Sequence, residues 1–234
     1  MTAPDDRRAK PGDLNPPPSA TPTAILFDWD NTLIDGWAAI QAGLNAAFRE
    51  FSMPEWDRAQ VLANVRKSLR DSFPPLFGAE WERARDIFYE AVRASHIEAL
   101  TPLPETLAML DAAAGRPLGV VSNKQGALLR AEAEHLGWTR RFGAVIGAGD
   151  AAEDKPSGAP ILMALSAMGL TPGPGVWYVG DTAIDMQAAR AAGCTAVLLG
   201  AAEHDGGVAA CCPDMDFPGG AALAGHLLGL DKAG

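Results

Sequence analysis

Ala24-Ile25-Leu26-Phe27-Asp28-Trp29-Asp30-Asn31-Thr32 is a short apolar run that ends abruptly on two aspartates with one residue between them. An apolar run without polar alternation reads as a strand covered on both faces, the situation of a parallel sheet flanked by helices. A carboxylate at the end of such a strand stands at the carboxyl edge of the sheet, where open α/β folds bind their ligands. Similar runs follow at 117–122 (PLGVVS), 142–147 (FGAVIG), 175–179 (GVWYV) and 195–199 (TAVLL). Helical patterns separate the later ones, at 124–136, 156–168 and 181–192, the last stopped by Gly193. Strand and helix in alternation predict an α/β fold, a doubly wound parallel sheet.

The interval between the first two strands is too long for one crossover and reads as all-helical. One helix is expected over 37–51 and a second from Pro54 to about residue 67. A third covers 79–100, with Trp81, Ala84, Ile87, Phe88, Ala91 and Val92 on one stripe. Pro102 and Pro104 close the region. An insertion at this point would overhang the carboxyl edge of the sheet as a cap. Residues 1–22 hold six prolines and no aromatic residue and are expected to be a disordered arm. The expected division is therefore an arm at 1–22, an α/β core at 23–35 and 104–234, and a helical cap at 36–103.

Composition narrows the function. The 234 residues carry 19 Lys and Arg against 29 Asp and Glu, a net charge of −10. Such a surface repels nucleic acid and anionic membranes, so neither is expected as a partner. Cys194, Cys211 and Cys212 have no spacing that suggests a disulfide framework or a zinc site. Arg7-Arg8 is not followed by an apolar stretch, and the uncharged run 156–180 is broken by Pro160, Pro172, Gly173 and Pro174. The chain reads as a soluble, cytoplasmic protein.

The strand ends carry the chemistry. The first ends in Asp28 and Asp30, the second in Ser122-Asn123-Lys124, and Lys155 follows the third after a loop. The fourth ends in Gly180-Asp181-Thr182-Ala183-Ile184-Asp185. In a doubly wound sheet these segments converge. Each close carboxylate pair then repels by about 4 kcal/mol at an effective dielectric near 20. A bound divalent cation removes that cost, and oxygen ligands without His or Cys suit Mg²⁺. Acid cluster plus lysine suggests phosphoryl chemistry.

These four segments, in this order and at these strand ends, resemble the four motifs of the haloacid dehalogenase superfamily over about residues 23–202. The resemblance implies that Asp28 is a nucleophile forming an aspartyl-phosphate, and that Asp30 is the general acid/base. It implies Mg²⁺ held by Asp28, the Asp30 backbone carbonyl and Asp181, with Asp185 one helical turn on as a further ligand or as a support for a metal-bound water. Ser122, Asn123 and the N–H groups opening the following helix would hold phosphoryl oxygens, and Lys155 would stabilise the attacking carboxylate. Asn31 stands where the family most often has glycine and should tolerate the left-handed turn. Trp29 replaces the commoner phenylalanine.

The activity this implies is a Mg²⁺-dependent phosphomonoester hydrolase acting on a small phosphorylated metabolite, similar to phosphoglycolate phosphatases. The alternatives are a sugar-phosphate phosphomutase of the same fold and a phosphoacceptor or binding module without turnover. Asp35 reads as a helix cap. The glycines at 147 and 149 imitate a dinucleotide fingerprint but are followed too soon by Pro156. His96, His135, His204 and His226 read as surface or satisfied core residues. Arg49, Arg66, Lys67, Arg70 and Arg93 are the cap cations that could meet a second anionic group, although each reads more readily as solvated helix surface. Oligomeric state is not legible.

Overall fold

The computed structural model describes residues 19–64 and 69–233. Its strands are β1 (Ala24–Phe27), β2 (Leu118–Gln125), β3 (Ala144–Ala148), β4 (Val176–Gly180), β5 (Thr195–Leu199) and β6 (Met215–Phe217). They join in the order β3-β2-β1-β4-β5-β6, every pairing parallel. The order reverses at β1, which has β2 on one side and β4 on the other. A crevice opens at such a point because the crossovers leave toward opposite faces.

The helices are α1 (Gly36–Glu50), α2 (Arg58–Asn64), α3 (Leu69–Phe77), α4 (Trp81–Ser95) and α5 (Thr106–Ala113), followed by α6 (Gly126–His135), α7 (Ala159–Ala167), α8 (Ala183–Ala191), α9 (Val208–Cys211) and α10 (Gly220–Ala233). Successive strand residues point to opposite faces, so an unbroken apolar strand feeds two cores. Ile25, Phe27, Trp177 and Val179 pack with Leu110, Leu129 and Leu223, from α5, α6 and α10. Ala24, Leu26, Val176 and Tyr178 pack with Ile161, Leu165, Met186 and Ala189, from α7 and α8. The doubly wound α/β architecture follows directly from strands that are apolar on both sides.

Helices α1 to α4 have a separate apolar cluster that includes Leu44, Phe48, Phe73, Phe77 and Phe88. Helices α1 and α4 approach closely where α1 has Gly43, since a Cβ there would lie 2.7 Å from the Phe88 ring. The chain enters and leaves this region side by side. Asp35 N–H donates to the Thr101 carbonyl (2.8 Å), Leu103 N–H donates to the Leu33 carbonyl (3.0 Å), and Ile34 bridges Pro102 antiparallel. Asp35 caps α1 by accepting from Trp37 N–H (3.1 Å), and it also accepts both terminal nitrogens of Arg58.

Several elements differ from the sequence expectation. Helix α3 contains Pro74 and Pro75, which argue against a helix locally, but burial of Phe73 and Phe77 prevails. Helix α5 follows Pro102 and Pro104 immediately, and β6 is too short and too exposed to show a period. Residues 1–18 of the expected arm lie outside the described residues. The arm's last part is held to the body, since Ser19 N–H donates to the Pro174 carbonyl and the Trp177 indole N–H donates to the Ser19 carbonyl (3.0 Å). A buried indole needs an acceptor, and the incoming chain supplies it. Among the described residues, no helix is long and apolar enough to cross a membrane.

Gly180 closes β4 against α8. A Cβ at this position would fall 2.3 Å from Cγ and 2.4 Å from Cβ of Asp185. Gly180→Ala is therefore expected to displace the start of α8 and destabilise the protein by about 1–3 kcal/mol, as overpacking does. Thermal or urea denaturation against the parent checks this.

Candidate active site

Asp28 continues β1 directly, Ser122 lies late in β2, Lys155 follows β3, and Asp181 follows β4. All four are buried, as is Asp185 in the first turn of α8. Together with Asp30, Asn123 and Lys124 they line one cavity of about 310 Å³. The structure thus brings together every site residue expected from the sequence.

Lys155 is the hub. Its ammonium donates to Asp28 Oδ1 (2.7 Å), Asp185 Oδ1 (2.7 Å) and the Tyr178 hydroxyl (3.0 Å), which uses all three of its protons. The Tyr178 hydroxyl in turn donates to the Val121 carbonyl (2.7 Å). Burial opposes the Lys155 charge, but Asp28, Tyr178 and Asp185 outweigh it and hold its pKa well above the ordinary value. Burial pushes Asp28 up to about 6; Lys155 opposes this, and Asp185 and Asp30 add to it. Asp181 is raised well above a normal carboxylate by burial and then by Asp28 and Asp185.

Local structure departs from expectation at three positions. Helix α8 opens at Ala183 with Thr182 as its cap, so Asp181 precedes the helix and does not share a helical face with Asp185. Asp185 instead completes a capping box, its Oδ2 accepting from Thr182 N–H (3.0 Å) and Thr182 Oγ1 (2.6 Å). Helix α6 opens at Gly126, not at the residues after Ser122, because the chain stays extended through Gln125 with an irregularity between Val121 and Gln125. The N–H groups next to Ser122 are therefore those of an extended segment. The Asn123 amide is committed on both sides to the Lys155 backbone, donating to its carbonyl (2.9 Å) and accepting from its N–H (3.0 Å). In this position it braces the lysine loop.

The donor set fits a hard divalent ion. One carboxylate oxygen from each of Asp28, Asp181 and Asp185 lies within 4.8 Å of the others. Three carboxylates and the Lys155 ammonium sum to −2, which a divalent cation balances, and oxygen ligands alone suit Mg²⁺. Asp30 adds no carboxylate oxygen to this group. Asn31 adopts φ +62°, the left-handed turn expected of it, and its N–H donates to the Ile34 carbonyl.

The sequence profile of haloacid dehalogenase-like hydrolases matches residues 25–199. The chain belongs to this family. Among its relatives is a phosphoglycolate phosphatase of Xylella fastidiosa, 36% identical over 187 residues that cover 77% of this chain and 81% of the relative. Another is a phosphoglycolate phosphatase of Chromobacterium violaceum, 30% identical, covering 76% of this chain and 84% of the relative. A crystal structure of a HAD-superfamily hydrolase from Ehrlichia chaffeensis superposes with TM-score 0.62 at 25% identity, covering 90% of this chain and 98% of that one. The chain is an enzyme of this hydrolase family.

Two residues of this family member had no role assigned from sequence: Lys124, read only as the end of the second strand, and Glu132. Lys124 donates to Asp30 Oδ1 (2.8 Å) and to both oxygens of Glu132 (2.9 and 2.7 Å). Glu132, only 1% exposed, also accepts from Trp29 Nε1 (2.7 Å) and sits 2.9 Å from His96 Nδ1. A signal was present. Leu129, Glu132, Ala133 and Leu136 share one helical stripe, and an unpaired acid on an apolar stripe requires a buried cation. His96 is thereby a satisfied, partly buried group. Arg49 pairs with Glu55 and Arg93 is exposed, while Arg66, Lys67 and the Arg70 side chain lie outside the described residues.

In metal-free protein Asp28 is expected to weaken the fold at neutral pH. Its folded pKa of about 6 exceeds the ordinary 3.8, so the folded state holds the proton more tightly than the unfolded chain does. That contribution is complete below about pH 4 and is lost as the pH rises through about 6. Asp28→Asn is expected to exceed the parent's stability by up to about 3 kcal/mol at pH 8 in a chelator, with the gap closing near pH 4. Urea denaturation across this range measures it, and added Mg²⁺ is expected to stabilise the parent more than the variant.

Proposed function

We propose that this chain is a Mg²⁺-dependent phosphomonoester hydrolase of the phosphoglycolate phosphatase type, acting on a small phosphorylated metabolite through an aspartyl-phosphate. One observation carries the reading. The two aspartates of the first motif are each paired with a different lysine, Asp28 with Lys155 and Asp30 with Lys124, in one cavity. Two carboxylates in separate charge environments can do separate jobs.

In this reading an Asp28 oxygen attacks phosphorus while Lys155 keeps the carboxylate ionised and in place. As the P–O bond to the alcohol breaks, Asp30 gives its proton to the departing oxygen. Burial raises the Asp30 pKa against the pull of Lys124, which favours a carboxyl able to carry that proton. Water then attacks the phosphoryl group on Asp28 and loses a proton to Asp30. The bond to Asp28 breaks, and inorganic phosphate leaves. The Ser122 hydroxyl and nearby backbone N–H groups would hold the phosphoryl oxygens. When bound by Asp28, Asp181 and Asp185, with the Asp30 backbone carbonyl, Mg²⁺ would supply charge neutralisation between the two anions. The named relatives, with their coverage of both chains, support the substrate class.

The test is release of inorganic phosphate from a panel of small phosphomonoesters that includes 2-phosphoglycolate, with Mg²⁺ and with a chelator. Turnover is expected only with the metal. Asp28→Asn is expected to lose at least about 10³-fold in kcat, in line with loss of a nucleophile, while its circular dichroism spectrum stays unchanged. Absence of phosphate release from every ester would sink the proposal. A rearranged phosphosugar in place of phosphate would identify a mutase.

A further inference from the structure

The Asp30 carboxylate meets one hydrogen-bond donor among the described residues, Lys124 Nζ at Oδ1. Its side chain is 32% exposed and opens into the cavity. Behind it, Gly36 lies so close that a Cβ there would stand 2.9 Å from Asp30 Cβ and 3.1 Å from Oδ1. Oδ1 is therefore the fixed oxygen, and Oδ2 is the one free to carry a proton toward a leaving group.

What keeps Lys124 from engaging both oxygens is its second partner. Glu132 takes two of its three N–H bonds and leaves one for Asp30. Glu132 is itself fixed from two other directions. The indole of Trp29, between the two aspartates, donates to one oxygen, and His96 from the return of the helical region meets the other. Trp29 is in turn buried with its ring edge-on to Trp138 (5.8 Å). A carboxylate so anchored does not follow the ammonium, so the ammonium must sit where the carboxylate holds it.

We infer that Glu132 is a positioning residue for the acid step: it fixes Lys124 so that a single N–H reaches Asp30 Oδ1 and Oδ2 stays free for the leaving group. This rests on the acid role given to Asp30 above. If Glu132 were neutral, Lys124 would keep Asp30 as its only ionised partner and close on both of its oxygens. Oδ2 would then be engaged and turned away from the ester.

The readout is dependence on the leaving group. An alkyl ester such as 2-phosphoglycolate needs protonation as it departs, whereas p-nitrophenolate leaves without it. Glu132→Gln is expected to lower kcat/KM about 10- to 100-fold on the alkyl ester, within the range of general-acid contributions, and less than about threefold on p-nitrophenyl phosphate. Because Glu132 acts through Lys124, the double variant with Lys124→Met should lose no more than Lys124→Met alone, within about threefold. Equal losses on both esters, or losses that add in the double variant, would overturn the inference.

A second measurement needs no turnover and no folded variant of Glu132. In the parent, the Lys124 ammonium should give a side-chain ¹⁵N signal protected from solvent exchange, identified by its absence in Lys124→Met. If the parent lacks that signal, Lys124 is not held and the inference falls. If the signal is present but the parent hydrolyses no phosphomonoester, the proposed function fails while the network stands.

Discussion

Lys155 makes it possible to build the carboxyl edge of this sheet at all. Asp28, Asp181 and Asp185 come from different segments, and each would repel the others if they were brought together bare. One ammonium, with all of its protons used, joins the carboxylate that ends β1 to the one that starts α8. Its remaining bond goes to Tyr178, which faces the core side of β4. The catalytic edge and the packing of one face of the sheet are therefore connected through a single side chain. The charge it leaves unbalanced is of the size that a divalent ion would balance.

Asp28 and Asp30 differ in surroundings although they are two residues apart. Both lie just past the end of β1 at Phe27, on either side of the buried Trp29, before the chain turns at Asn31 through a left-handed conformation. Asp28 faces the lysine of the loop after β3, and Asp30 faces the lysine at the end of β2. Both lysines come from the same side of β1, Lys124 from β2 itself and Lys155 from the loop after β3, while Asp181 and Asp185 arrive from β4 on the other side. Two different lysine partners thus distinguish two chemically identical groups before any substrate is bound.

Much of this was legible in the sequence, and for a physical reason. The strands are buried on both faces, so they appear as continuous apolar runs, and the acids at their ends mark where the chain meets solvent and ligand. Asp28, Ser122, Lys155 and Asp181 could be read that way. The phase of the segments around them was harder to read. Whether Asp181 begins a helix or precedes it depends on Thr182 as cap, and whether Lys124 starts a helix or extends a strand depends on the pairing of Gln125 with Ala148 of β3. Helix α3 was hidden because its two prolines oppose a helix locally while Phe73 and Phe77 favour one through burial. In each case the deciding interaction links residues that are far apart along the chain, or is a capping bond that composition does not reveal.

The paired linkers at Ile34 and Pro102 have a mechanical consequence. Each is hydrogen-bonded to the other on both sides of that bridge, by Asp35 to Thr101 and by Leu103 to Leu33. Two strands joined in this way flex like a ribbon, easily out of their common plane and poorly within it. Sliding one past the other would break both bonds, and twisting would shear them. If α1 to α4 were to move relative to the sheet, this joint would favour rocking about one axis over sliding.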